Sequence, residues 1–272
     1  MRKFSRSAIV AIATLIVPFF AAAQSKYQYP KRKGELYFSW GYNTEWYTHS
    51  NIRVNQPELG NYYLFNHVKA HDHEGWNEGL FKKALTIPQY NYRLGYIFNQ
   101  EKGLGFEINF DHTKYIFADQ NVRITGKMGA NKGVDTTVAF NAANGFYYYL
   151  NNGANFLLFN FVKRWHLENV AHNKIRIDAL GKAGIGPVIP HVDNSLFGQN
   201  NDPDFQFGGW NVGIEGCIKA TFFNTVYLEY SNKIDYARYS HLAVYKGRAS
   251  QSFGTYEMVL SLGIAIPSGK KI

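Results

Sequence analysis

Residues 103–115, GLGFEINFDHTKY, place Leu104, Phe106, Ile108 and Phe110 at every second position, with Gly105, Glu107, Asn109 and Asp111 between them. Period two is the pattern of an extended strand, whose successive side chains point to opposite faces. One face here is apolar and the other carries two acids. A strand built this way separates two surroundings, so the fold depends on which of them lies outside.

The same alternation recurs on both sides of this stretch. In residues 34–46, GELYFSWGYNTEW, Leu36, Phe38, Trp40 and Tyr42 alternate with Glu35, Tyr37, Ser39, Gly41 and Asn43. In residues 88–98, PQYNYRLGYIF, Tyr90, Tyr92, Leu94, Tyr96 and Phe98 alternate with Gln89, Asn91, Arg93 and Gly95. Residues 174–188, 210–222, 225–239 and 253–266 continue the pattern, and residues 154–168, ANFLLFNFVKRWHLE, are apolar enough to join them despite poor alternation. Each of these eight segments is long enough to supply the ~9–11 residues that a tilted strand needs to cross a bilayer.

The connections alternate in length. Residues 47–87 are followed by the short NQEKG, residues 116–153 by NVAHN, residues 189–209 by NT, and residues 240–252 complete the series. Bacterial outer-membrane barrels combine an even strand number, short periplasmic turns and longer outside loops. The expected fold is all-β: an eight-stranded antiparallel transmembrane β-barrel with short periplasmic turns, long extracellular loops and both termini periplasmic. Strand-like stretches within the loops, residues 61–71, 121–127 and 134–140, are expected to extend the barrel as hairpins outside the membrane, with ten strands as the alternative count.

Composition agrees. Aromatic residues make up 17% of the 272, with 20 Tyr and 21 Phe, while the mean hydropathy is −0.31. Alternation between lipid and a polar interior averages in this way. A soluble sandwich or lipocalin-like barrel also alternates, but it turns its apolar face inward. Here Trp40, Trp46, Tyr90, Phe98, Tyr115, Trp165, Trp210 and Tyr236 lie near strand ends, opposite the charges, as interfacial girdles require.

At the N-terminus, basic Arg2, Lys3 and Arg6 precede an apolar run over residues 8–20 and the small-residue exit Ala21, Ala22 and Ala23, which predicts a signal peptide over residues 1–23. Residues 24–33 then form an N-terminal periplasmic segment, 34–267 the barrel and 268–272 a C-terminal tail. Removing three of the 29 basic residues with the signal leaves 26 against 20 acids, a charge of +6. An exported protein with that excess suits anionic lipid headgroups or sugars and not nucleic acid. The single cysteine, Cys217, excludes an internal disulfide framework and lies far from any lipoprotein cleavage point.

If lipid takes the apolar face, the inward set includes Glu35, Asn43, Arg93, Glu107, Asp111, Arg176, Asp178, Lys182, Glu215, Lys219, Glu229, Lys233, Asp235 and Glu257. Eight strands enclose a bore only wide enough for side chains. Unpaired charges there are costly, so an ion-pair network that fills the lumen is expected in place of acid–base catalysis or a wide pore.

The chain resembles the small eight-stranded outer-membrane proteins of Gram-negative bacteria. In style it is similar to uncharacterised Bacteroidetes-type outer-membrane barrels through GELYFSWGYN, IPQYNYRLGY and FGTYEMVLSLG. The resemblance implies an outer-membrane location, insertion by the barrel assembly machinery, and contact with outer-membrane lipid and lipopolysaccharide. This chain departs from the pattern by running past Ile266 as PSGKKI, where such barrels often end on an aromatic. Outer-membrane lipid A deacylases carry an H-x-S-N motif late in the barrel; YLEYSNKIDYARY, residues 227–239, matches at Ser231 and Asn232 but has Glu229 in place of the histidine. Strand parity also turns Ser231 inward, away from lipid. The sequence therefore favours a barrel with a structural or extracellular ligand-binding role, with a lipid A or phospholipid acyl hydrolase (Ser231, Glu229) or a narrow solute channel as alternatives.

Residues 66–76, NHVKAHDHEGW, fall in the first outside loop. If extended, they project His67, His71 and His73 to one side, where imidazoles with Asp72 or Glu74 nearby suit zinc or copper. The same residues also suit a solvated hairpin. No other cofactor is expected.

Overall fold

The computed structural model describes residues 32–73, 75–79, 81–84, 88–150, 153–201 and 204–271. The predicted signal peptide and nearly all of the N-terminal segment lie outside the described residues, as does Glu74. Eight long strands organise the rest: β1 (Arg32–Tyr47), β2 (Tyr90–Asn99), β3 (Leu104–Asp111), β4 (Phe156–Val170), β5 (Ile175–Val188), β6 (Gly209–Phe222), β7 (Val226–Val244) and β8 (Gly247–Lys271). Each pairs antiparallel with the next, and β8 returns to β1 from Glu35↔Pro267 to Tyr47↔Thr255. The eight strands thus form a closed ring. No helix among the described residues is long and apolar enough to cross a membrane.

Alternation sets the faces. In β7, residues 227, 229, 231, 233, 235, 237 and 239 are buried and every residue between them is exposed. Large inward aromatics are accommodated by glycine: a Cβ on Gly95 would sit 2.0 Å from the Tyr37 ring, and one on Gly263 would sit 2.3 Å from Tyr227. At the short-turn end, Phe223 and Asn224 both take positive φ, 50° and 57°, in the tight connection between paired Phe222 and Val226.

The opposite end holds a folded cap. The β8 strand pairs with Ser50–Gln56, and the sheet continues through Asn61–Val68, Gln120–Met128 and Lys132–Phe140. A second sheet contains Gln199–Asn201, Asp193–Leu196, Tyr147–Leu150, Tyr115–Phe117 and Ala70–His71. The two sheets share a buried apolar core: Ile52, Val54, Phe65, Ile124 and Phe140 from one, and Tyr115, Phe117, Tyr148, Leu150 and Leu196 from the other. Phe117 stacks on Phe140 across this core, with centroids 3.9 Å apart. Burying this much aromatic surface orders segments whose polarity reads as loop.

Several expectations are corrected here. Residues 240–252 form no loop: β7 runs through Val244 and β8 begins at Gly247, with a bulge between Tyr239 and Leu242. The strand containing residues 103–115 stops at Asp111, and Tyr115 is not a girdle residue. Its ring is fully buried in the cap core, where it stacks on Phe253 at 4.5 Å. Position in the chain placed it near a membrane edge, but the chain turns inward after β3. The strand-like loop segments do extend the ring's sheet as hairpins, as expected, and they build the cap without joining a ten-stranded ring.

Candidate functional site

The interior of the ring is polar and closely packed. Nine buried acids (Glu35, Glu45, Glu107, Asp111, Asp178, Glu215, Glu229, Asp235, Glu257) face six buried Arg or Lys residues (Arg93, Arg164, Arg176, Lys182, Lys219, Lys233). With fewer cations than acids, most cations serve more than one carboxylate.

Near the short turns, Glu35 on β1 accepts from Arg164 Nη1 at 2.6 Å and pairs with Arg176 Nη2 at 3.2 Å, while Arg176 Nε donates to Asp178 at 2.7 Å. His166 Nδ1 lies 3.2 Å from Asp178. Lys219 is held by rings, its Nζ 3.7 Å from the Tyr227 centroid and 4.5 Å from that of Tyr37. At mid-height, Lys182 Nζ lies 2.7 Å from Glu229, 3.0 Å from Glu107 and 3.4 Å from Glu215. Tyr37 also donates to Glu107, at 2.9 Å. Arg93 links this tier upward, reaching Glu107 at 3.8 Å, Glu215 at 3.6 Å and Asp111 through a short contact. In the upper tier, Lys233 meets Asp111, Asp235 at 2.8 Å and Glu257 at 3.4 Å.

All the inward residues named from the sequence are buried here, and Arg164, His166 and Glu45 join them. Arg164 escaped the sequence reading because Phe156, Leu158 and Val162 share its inward face and blur the polar half of β4. Its parity with Asn160 was the available signal.

Above the upper tier lies an aromatic roof. Phe253 stacks on Tyr115 at 4.5 Å and on Tyr239 at 5.3 Å and meets Tyr47 edge-on at 5.4 Å; Tyr239 also donates to the Ala154 carbonyl at 2.8 Å. Asp72 ties the first cap segment to the rim, accepting from Thr44 Oγ1 at 2.8 Å and from the Glu45 amide at 2.9 Å.

That anchoring bears on the histidines. His67 takes a positive φ of 53°, which breaks the two-residue alternation, so Phe65 and Val68 are both buried. His71 Nδ1 contacts the Asp72 carbonyl at 2.6 Å, and the Asp72 carboxylate is engaged by the rim. Among the described residues the one group of three metal-ligand types with mutually close donor atoms is Glu215, Cys217 and Glu229. Lys182 already contacts both of its carboxylates, and its ammonium fills the role a cation would take. Ser231 is 2% exposed and faces the lumen between Glu229 and Lys233; no histidine accompanies it on β7 within the ring.

Outside the ring the chemistry reverses. Phe106, Ile185 and Ile214 are 61%, 60% and 61% exposed within a continuous apolar belt that includes Leu94, Phe159 and Leu262. Soluble monomers rarely expose contiguous apolar patches above a few hundred Å². Trp46, Phe98, Trp210 and Tyr236 are exposed at its margins and Trp40, Tyr90 and Trp165 are partly buried. Trp210 pairs with Tyr236 at 5.8 Å and Trp46 with Tyr256 at 5.6 Å. An apolar belt with aromatic margins on a ring of strands spans a bilayer, and such rings belong to the outer membrane.

No family model matches the chain, and no curated protein matches it by sequence. Among solved structures it is similar in fold to the outer membrane protein OprG from Pseudomonas aeruginosa, with 8% identity, a TM-score of 0.39 and coverage of 87% of this chain and 98% of that one. Neisserial surface protein A is similar over 86% and 97% of the two chains, with 8% identity and a TM-score of 0.31. The Escherichia coli outer membrane protease OmpT is similar over 89% and 99%, with 9% identity and a TM-score of 0.37.

Proposed function

We propose that the chain is an eight-stranded β-barrel of a Gram-negative outer membrane, exported by a signal peptide, whose bore does not conduct and whose extracellular cap presents a binding surface. The observation that carries this reading is the stacked roof of Tyr115, Phe253 and Tyr239 over a lumen already filled by ion pairs. Water and ions need a continuous polar path, and a layer of packed rings interrupts one. Function then resides on the outer surfaces: the belt holds the protein in lipid and the cap, stiffened by its own core, meets the exterior. Rigidity suits recognition, because preorganised surfaces lose less entropy on binding.

Planar-bilayer recording on the refolded full chain tests this. The expected result is no current step above the lipid baseline. Regular single-channel steps from the wild-type protein would refute the closed-bore reading and favour a narrow solute channel.

A further inference from the structure

A concave feature of the cap lies on the outer face of its first sheet, just above the aromatic margin. It is an open pocket of ≈550 Å³ lined by residues of β7, β8 and Ser50–Gln56. Its charged lining is Arg53, Arg238 and Arg248, joined by His241, and no acid is among the lining residues. That volume falls in the range of small-molecule sites, ~300–1,000 Å³.

Strand register fixes the arrangement. Arg53 stands across from Ser250 and Arg238 across from Ser252, while Arg248 is two residues from Ser250 on the same strand. Alternate residues share a face, so the three guanidinium-bearing positions surround Ser250 at the ~5–8 Å spacing of direct and diagonal neighbours. All three arginines are exposed. Two other exposed cations of the cap do have carboxylates, Arg123 with Asp135 at 2.7 Å and Lys246 with Glu58 at 3.5 Å. Among the described residues, Arg53, Arg238 and Arg248 have none.

One further detail shows a built site. The bulge that inserts Ser240 and His241 into β7 turns the His241 carbonyl toward the pocket rim, where it accepts from Arg248 Nη1 at 3.2 Å.

Height identifies the ligand's surroundings. The outward residues of β7 run Val226, Leu228, Tyr230, Asn232, Ile234 and Tyr236 before reaching Arg238, the first cation above the belt. Arg238 pairs in register with Trp210 of the margin and lies ~7 Å along the strand beyond Tyr236. That is the level of lipid headgroups, with Arg53 and Arg248 farther out.

We propose that this pocket binds a phosphorylated saccharide, the guanidiniums gripping phosphate oxygens while Asn51 and Asn55 bond sugar hydroxyls. Its position favours the headgroup of an outer-leaflet phosphoglycolipid; a soluble sugar phosphate offers the same chemistry. The inference rests on the membrane reading above only for this choice of source.

The test uses the full chain refolded in nanodiscs, with equilibrium binding of fluorescent diphosphoryl lipid A, its dephosphorylated counterpart, and glucosamine 1-phosphate as the soluble probe. Insertion is scored on the same preparations by protease protection. Wild type is expected to bind the phosphorylated lipid at least tenfold more tightly than the dephosphorylated one. The triple variant Arg53→Gln, Arg238→Gln, Arg248→Gln should lose at least tenfold, whereas Arg123→Gln, two strands farther along the same sheet and outside the pocket lining, should lose less than twofold. Phosphate-dependent binding of glucosamine 1-phosphate alone, lost in the triple variant, would support the pocket and assign a soluble source. Equal binding with and without phosphate, or an unaffected triple variant, would overturn the proposal. Failure to insert would instead overturn the membrane reading, while binding of the soluble probe still reports on the pocket.

Discussion

Removal of Lys182 gives the sharpest test of the interior. Its ammonium lies 2.7–3.4 Å from three carboxylates, those of Glu229, Glu107 and Glu215. In Lys182→Met the stem volume is kept and the charge is lost. Arg93 still reaches Glu107 and Glu215, at 3.8 and 3.6 Å, but it is shared with Asp111. Glu229 retains no ion pair among the described residues. Taking one partner from a buried pair costs ~3–5 kcal/mol, because the remaining charge stays desolvated, and the crowding of three acids places Lys182→Met at the upper end. The double variant Lys182→Met, Glu229→Gln removes one stranded charge and should recover ~1–3 kcal/mol, a coupling typical of residues in one network. Reversible urea unfolding in lipid vesicles, followed by tryptophan fluorescence, measures both. A loss below ~1 kcal/mol for the single variant, or additive effects in the double, would refute the claim that the ion pairs fill and brace the ring.

Other consequences can be checked independently. Phe253→Ala removes the ring that stacks on Tyr115 and Tyr239 and should cost ~3–5 kcal/mol in the same unfolding assay; a change within 0.5 kcal/mol would mean the roof is not packed. Ile214→Arg places a charge on a position 61% exposed in the belt and should destabilise the protein by ~2–4 kcal/mol in vesicles if that belt meets hydrocarbon; a neutral effect would count against it. His112, just past β3, stacks on Tyr90 at 4.6 Å, and burial holds its pKa below the ordinary 6.5. The unfolded chain therefore binds this proton more readily, so stability should fall as pH drops below ~6.5. The fall should be smaller in His112→Gln when melting points at pH 7.5 and 5.5 are compared; an identical slope would refute the assignment. Ser231→Ala should leave lipid A acyl masses unchanged in cells that express the protein, whereas a shift in an acyl chain's mass by mass spectrometry would make this buried serine a nucleophile.

The strands and their faces were legible because lipid and lumen impose opposite demands at every second residue. Residues such as Glu107 and Lys233 are assigned by parity alone, since an inward charge in an alternating strand has nowhere else to go. Parity carries less information where an inner face is mixed, as in β4 around Arg164. An aromatic near a strand end, such as Tyr115, has two fates, at the interface or in a folded cap, and local pattern does not separate them. His67, His71 and His73 show the same limit: the parity that would gather them depends on an uninterrupted strand, and a single left-handed residue breaks it.

Sequence by itself determined the eight long strands of the ring, their inward and outward faces and the ends that carry short turns, because these follow from periodicity and from the chemistry of the two surroundings. Tertiary structure alone decided how the long segments pack into two sheets over the bore, which cation meets which carboxylate, and where three separated arginines converge around Ser250. Those are relations between residues far apart in the chain, set by closure of the ring and by burial of a second core, and no local period encodes them.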